Sequence, residues 1–433
     1  MLINKLIPLL ALLLTSSLAY GAPEIQNWQT SNGAQVYFVA APELPMVDVQ
    51  IVFDGGAARE AKGGVASMTS ALLDEGAAGM DADQIAEASD SVGALISFSS
   101  HQDMAVASLR SVTDTMLFEP AVTLFSQILN QPDFPTDALQ RIRKNMLIGV
   151  QSKKQQPGAL ARDAFMAALY GEHPYGKPSS GTEESLNSIR RDELIDHYQR
   201  YYVGNNAVIA MVGDLDRSSA AKLAERIAGK LPAGERASPL AAVALLSQAL
   251  EQRINHPSSQ SHIMLGQPGI KRGDADYFTL YVGNHILGGS GLTSRISDEI
   301  REKRGLAYSA YSYFSPMRDL GPFILGLQTK NASVDEALAV SRETLAQFRE
   351  QGPSAAELDA AKKNITGGFP LRLDSNKKIV GYLAMIGFYD MPLNYLDTFN
   401  QKVNAVTIEQ IKEAYQRRID PEKLVTIVVG GEG

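Results

Sequence analysis

The 433-residue chain contains no cysteine. Disulfides, thiolate metal sites and a lipid attached to an N-terminal cysteine are all excluded. Histidine is scarce. The six are His101, His173, His197, His256, His262 and His285, and no two lie three or four residues apart. No helix can therefore aim two imidazoles from one face at one metal ion. Positive charge is not in excess either: 40 Lys and Arg against 48 Asp and Glu give a net charge of -8, or -9 without Lys5, which argues against nucleic acid as a partner. After the N-terminus no apolar run is long enough for a membrane anchor. The short run Leu6 to Leu14, behind Lys5 and before Ala19, Gly21 and Ala22, has the form of a secretory signal peptide over 1–22. The expected product is soluble in the periplasm.

A hydrophobic fraction of 45% with 20% charged residues is that of a globular protein, and the length calls for two or more domains. The chain is also built twice. Sliding the segment from Leu186 onto that from Val403, an offset of 217 (403 - 186), matches Asn187 with Asn404, Tyr198-Gln199-Arg200 with Tyr415-Gln416-Arg417, and Val208, Val212 and Gly213 with Val425, Val429 and Gly430. Upstream, Leu139 and Lys144-Asn145 pair with Leu358 and Lys363-Asn364 at an offset of 219. Such self-similarity predicts two equivalent structural units. Asn32-Gly33 between alternating apolar residues is a hairpin signal. These patterns predict an α+β protein of two duplicated halves, each an antiparallel sheet with helices packed on one face. The expected halves are 23–230 and 261–433, joined by a Pro- and Gly-containing linker over 231–260.

Four segments carry the chemistry. Val47 to Glu60 alternates like a strand and ends in a glycine turn, and Gly64-Val65-Ala66-Ser67-Met68-Thr69-Ser70-Ala71-Leu72-Leu73 then opens a helix. Leu169-Tyr170-Gly171-Glu172-His173-Pro174-Tyr175-Gly176 and the helix-strand run His197 to Leu215 follow, and Arg301-Glu302-Lys303-Arg304-Gly305-Leu306-Ala307-Tyr308 comes later. Together, in this order and over nearly the whole mature chain, they resemble the pitrilysin-like zinc peptidases, the superfamily of insulin-degrading enzyme and the mitochondrial processing peptidase. The resemblance implies two halves facing across a cleft for an extended peptide, and in the short bacterial type two paired chains, one bearing zinc. It also implies a His-x-x-Glu-His helix at the places of Ser67, Ser70 and Ala71. Two hydroxyls and a methyl cannot replace two imidazoles and a carboxylate. The family's third ligand is a Glu on a later helix, yet Arg141 to Arg162 contains no Asp or Glu. No zinc is expected in this chain; zinc is expected in a partner.

Other hydrolytic patterns fail. Ser375-Asn376-Lys377-Lys378 fits Ser-x-x-Lys but lacks the companion motifs, and it reads as a solvated basic turn. Gly288-Gly289-Ser290-Gly291-Leu292 is neither a nucleophile elbow nor a phosphate loop. Gly288, Gly289 and Gly291 are either a flexible stretch beside the peptide cleft, as the resemblance implies, or a helix start capped by Ser290 or Thr293. By the same resemblance Arg301 and Tyr308, seven residues apart, reach the bound peptide, a guanidinium toward carbonyls and a phenol toward a developing oxyanion. The bland alternative pairs Arg301 with Asp298 and packs Tyr308 in a sheet. The favoured function is a non-catalytic subunit that completes the cleft of a zinc-bearing homologue. The alternatives are a peptide-binding scaffold without catalysis and, more weakly, an autonomous peptidase with an unrecognised site.

Overall fold

The computed structural model describes residues 24–431; the expected signal peptide lies outside them. The first sheet comprises β1 (Gln26–Gln29), β2 (Gln35–Ala40), β3 (Met46–Phe53), β4 (Leu95–Ser100), β5 (Ala105–Val112) and β6 (Ala207–Gly213), in the order β1-β2-β6-β3-β5-β4. The second comprises β7 (Leu250–Ile254), β8 (Ser258–Pro268), β9 (Ala307–Phe314), β10 (Pro322–Lys330) and β11 (Val425–Gly431), in the order β9-β10-β8-β11-β7. Read from the other end, the second order repeats the first without β1. The β1–β2 hairpin forms with Gly33 at φ 93° in its turn.

Both sheets are mostly antiparallel, with one parallel pair each that the sequence pattern did not predict: β2 beside β6, and β7 beside β11. The closing strand of each half returns through a helix and enters the sheet between earlier strands, so it meets one neighbour in each sense. The second parallel pair also corrects the linker, because β7 and the start of β8 lie within 231–260. Leu250 to Gln260 belongs to the second sheet.

The main helices are α1 (Val65–Leu72), α2 (Thr115–Asn130), α3 (Thr136–Lys153), α4 (Pro157–Tyr170), α5 (Arg191–Tyr201) and α6 (Arg217–Ala228) in the first half. The second half has α7 (Tyr277–Asn284), α8 (Val334–Gln351), α9 (Ala355–Gly368), α10 (Asn376–Phe388), α11 (Tyr395–Ala405) and α12 (Ile408–Arg418). The repeat is near exact: α3 and α4 begin 219 residues before α9 and α10, and α5 spans the residues 217 before α12. Gly213 and Gly430, the matched strand ends, share φ values of 156° and 154°. A side chain at either would strike a neighbouring strand, at Met46 or Ser261.

Two of the helices are exchanged. α10 of the second half packs on β6 and β3 of the first sheet, where Gly387 lies against Tyr37 and Val208. α4 of the first half packs on β8 and β11, with Phe165 buried among Met264, Ile324 and Val425. The inner face of β6 is apolar, Val208, Ala210 and Val212, and shares one core with the second half. The space between the two sheets of this chain is therefore filled by helices. The halves are further tied by buried Asp103, which accepts from the Tyr175 hydroxyl at 2.7 Å, the Tyr389 hydroxyl at 2.9 Å and the Arg318 backbone N–H at 2.8 Å. The two edge strands on the same side of the repeat, β4 and β9, have no strand on their outer edges among the described residues.

Candidate functional site

α1 enters through Gly64 at φ 96°, where no side chain caps the helix. Glu60 takes that task from outside the helix: its carboxylate accepts from Gly64 N at 3.0 Å and Ala66 N at 2.7 Å. Burial dominates over these bonds and over nearby Lys177, and raises the Glu60 pKa to about 7. Val65, Ala66, Met68 and Leu72 turn inward, which fixes the rotation of the helix and hence the direction of the remaining positions.

Ser67 is half-buried and donates to the Ser179 carbonyl at 2.8 Å. Ser70 is buried and shares a 3.2 Å hydrogen bond with the Tyr202 hydroxyl. Burial holds that phenol up at about 12, so both hydroxyls stay neutral near pH 7. Ala71 is exposed and has no donor atom. α3, which packs beside α1, presents Arg141, and this side chain pairs with Glu75. Neutral hydroxyls already committed to protein partners, a methyl group and a guanidinium do not fit a zinc ion. No group of three or more His, Asp or Glu among the described residues is arranged to hold a metal.

His197 of α5 is buried with Nε2 2.9 Å from the Gly55 carbonyl, and burial lowers its pKa to about 4. It is a neutral donor at pH 7. His173 sets its Nδ1 on Tyr175 N and its Nε2 near the Ala241 carbonyl, a loop role. His285 is half-buried, and burial next to Arg372 lowers its pKa.

In the second half Arg301 and Tyr308 are brought together. The Arg301 guanidinium lies 4.9 Å from the centre of the Tyr308 ring, and its Nε is 3.4 Å from Glu302. Asp298 pairs with Lys303, so the bland pairing of Arg301 with Asp298 does not form. Tyr308 is the second residue of edge strand β9 and is 84% exposed, with its ring in solvent and not in a packed sheet face. Gly305, at φ 62°, makes the turn between them. Of the three glycines, Gly288 sits where a Cβ would lie 2.3 Å from Ser312 Oγ of β9, Gly289 packs on Asn284, and Gly291 has φ 65° with open space around it. The helix cap is neither Ser290 nor Thr293 but Ser294, whose hydroxyl accepts from Ser297 N. Hydroxyl side chains stand at all three places in the sequence, and only the chain path chooses among them.

A crystal structure of a peptidase M16 inactive domain from Pseudomonas fluorescens superposes with a TM-score of 0.91 and 40% identity, covering 94% of this chain and 98% of that one. This chain belongs to peptidase family M16. Residues 35–183 match the family described as Insulinase (Peptidase family M16), and residues 188–365 match the Peptidase M16 inactive domain. Among M16 relatives, an uncharacterized zinc protease YmxG of Bacillus subtilis is 25% identical over 89% of this chain and 94% of its own length. A non-peptidase homolog YmxG of Helicobacter pylori is 25% identical over 90% of both. The match to the inactive domain and the likeness to a non-peptidase homolog make the chain a non-catalytic M16 protein.

Proposed function

We propose that this chain is the non-catalytic subunit of a periplasmic M16 heterodimer, completing the peptide cleft of a zinc-bearing homologue. The observation that carries the reading is the Arg301–Tyr308 pair, a half-buried guanidinium stacked on a solvent-exposed ring near the head of an edge strand. A guanidinium and phenol that served only folding have little reason to leave the ring in water, whereas donors for a peptide carbonyl and its oxyanion must be reachable. The filled space between this chain's own sheets favours a cleft formed against a second chain. In such a pair Tyr308 stabilises charge developing on the attacked carbonyl, Arg301 holds the peptide backbone, and the partner's zinc supplies the activated water. A glycine stretch at Gly288, Gly289 and Gly291 lets β9 approach closely and keeps the adjoining turn slender. Export by the 1–22 segment places the pair in the periplasm, and no helix among the described residues is long and apolar enough to cross a membrane.

A second reading, capture of extended peptides without cleavage, is favoured by β4, whose outer edge has no strand among the described residues and whose Leu95 is 66% exposed. Such an edge accepts an added strand. Mixing the mature chain with the zinc-bearing M16 homologue of the same organism separates the two. Chelator-sensitive cleavage by the mixture well above that of either chain supports the subunit reading; peptide binding with no gain in cleavage supports capture.

A further inference from the structure

The basic run Ser375-Asn376-Lys377-Lys378 is not merely a solvated turn. It opens α10, and Lys377 and Lys378 line a cavity of about 670 Å³ together with Arg272 and Arg372. No Asp or Glu lines this cavity. Lys378 is balanced by Asp374 at 2.9 Å. Among the described residues the other three have no carboxylate partner. Arg372 donates to the Tyr281 hydroxyl at 2.8 Å. The Arg272 guanidinium is held 5.4 Å from the Tyr389 ring, with its Nε buried and without a hydrogen-bond partner. Three unneutralised cations thus converge on one concavity in a chain of net charge -8. A concave site lined by one sign of charge concentrates ions of the other.

The cavity also has a defined neighbour. Lys377 and Gly381, one turn apart on α10, line a second cavity of about 220 Å³ whose other wall includes Leu95 and Ser97 of β4. Lys377 and Gly381 line both cavities, so the first turn of α10 lies between the cationic cavity and one walled in part by β4 and by the Asp48–Arg110 ion pair. Tyr277, Tyr382 and Phe399 supply aromatic walls, suited to the apolar part of a ligand whose charged end meets the guanidinium groups.

We propose that the Arg272–Arg372–Lys377 cavity anchors the carboxylates of an extended peptide laid on the edge of β4, so that peptides with an acidic C-terminal segment are selected. The proposal takes its occupant from the peptide-binding reading above; the charge of the cavity stands without it. The carboxylates come from acidic side chains or from the chain terminus, and the test distinguishes these.

The mature chain, without any partner, is titrated against three labelled peptides of one apolar sequence ending in Glu-Glu with a free terminus, Gln-Gln with a free terminus, and Gln-Gln amide. Binding is read by fluorescence anisotropy at low salt. The Glu-Glu peptide is expected to bind at least about 10-fold more tightly than the amide, as charge-assisted hydrogen bonds require, and the Gln-Gln acid shows how much of that comes from the terminus. The double substitution Lys377→Gln and Arg372→Gln, at two exposed residues, removes the preference while thermal unfolding stays near wild type. Equal affinity for all three peptides, or a preference that survives in the double variant, overturns the anchor and leaves the peptide-binding reading standing. Binding of none of the three overturns both.

Discussion

Glu60→Gln is expected to change the pH dependence of stability without touching any exposed surface. Glu60 is 7% exposed and its carboxylate holds two backbone N–H groups at the start of α1. Its pKa rises from an ordinary 4.5 to about 7, chiefly through burial. The folded chain therefore binds this proton more tightly than the unfolded chain does. The stabilisation it brings is fully present below pH 4.5 and is lost as pH rises through about 7. At about 1.4 kcal/mol per unit the whole effect is about 3 kcal/mol, most of it falling between pH 5 and 8. Gln cannot titrate but keeps one acceptor for the helix N-terminus. Urea unfolding of both proteins at pH 5 and pH 8 isolates the group, since other titrations cancel in the difference. The stability of Glu60→Gln relative to wild type is expected to improve by roughly 2–3 kcal/mol at the higher pH. An unchanged difference at the two pH values would refute the reasoning that burial outweighs the two N–H bonds.

His197, lowered by burial from 6.5 to about 4, gives the opposite trend. Its contribution is present above pH 6.5 and lost as pH falls through about 4, and His197→Gln, which keeps a donor for Gly55, should remove about 3 kcal/mol of that acid-side loss in denaturant titrations. Tyr389→Phe removes one of three donors to Asp103 and should cost about 1.5–3 kcal/mol in the same assay, because the acceptor is a buried carboxylate. The triple substitution Ser67→His, Ser70→Glu and Ala71→His should yield neither stoichiometric zinc by elemental analysis nor robust peptide cleavage. The third ligand is still absent from α3, and the Glu at position 70 replaces a buried hydroxyl paired with Tyr202.

The repeat was legible in the sequence because its matched residues do geometric work. Gly213 and Gly430 occupy strand ends where no side chain fits, and Tyr198 and Tyr415 lie at one place in two equivalent helices. The family was legible too, since the order of its segments along the chain is a property of the sequence alone. What escaped were consequences of chain path. The exchange of α4 and α10 between halves leaves no mark on either helix, both of which are simply apolar on the face that packs. β7 was hidden in the linker because it is an edge strand whose residues Leu250 to Arg253 are exposed, so its sequence lacks an alternating apolar pattern. Glu60 capping α1 from four residues before Gly64, and Arg272 and Lys377 lining one cavity, bring together segments that no local motif joins.

The central claim is that Tyr308 acts on a peptide held beside another chain's zinc. In a reconstituted pair with the zinc-bearing homologue, Tyr308→Phe removes one exposed hydroxyl and little packing. It is expected to lower kcat by about 100–1,000-fold, the range for an oxyanion donor, while the complex elutes unchanged in size-exclusion chromatography. Wild-type turnover from an intact Tyr308→Phe complex would contradict the account.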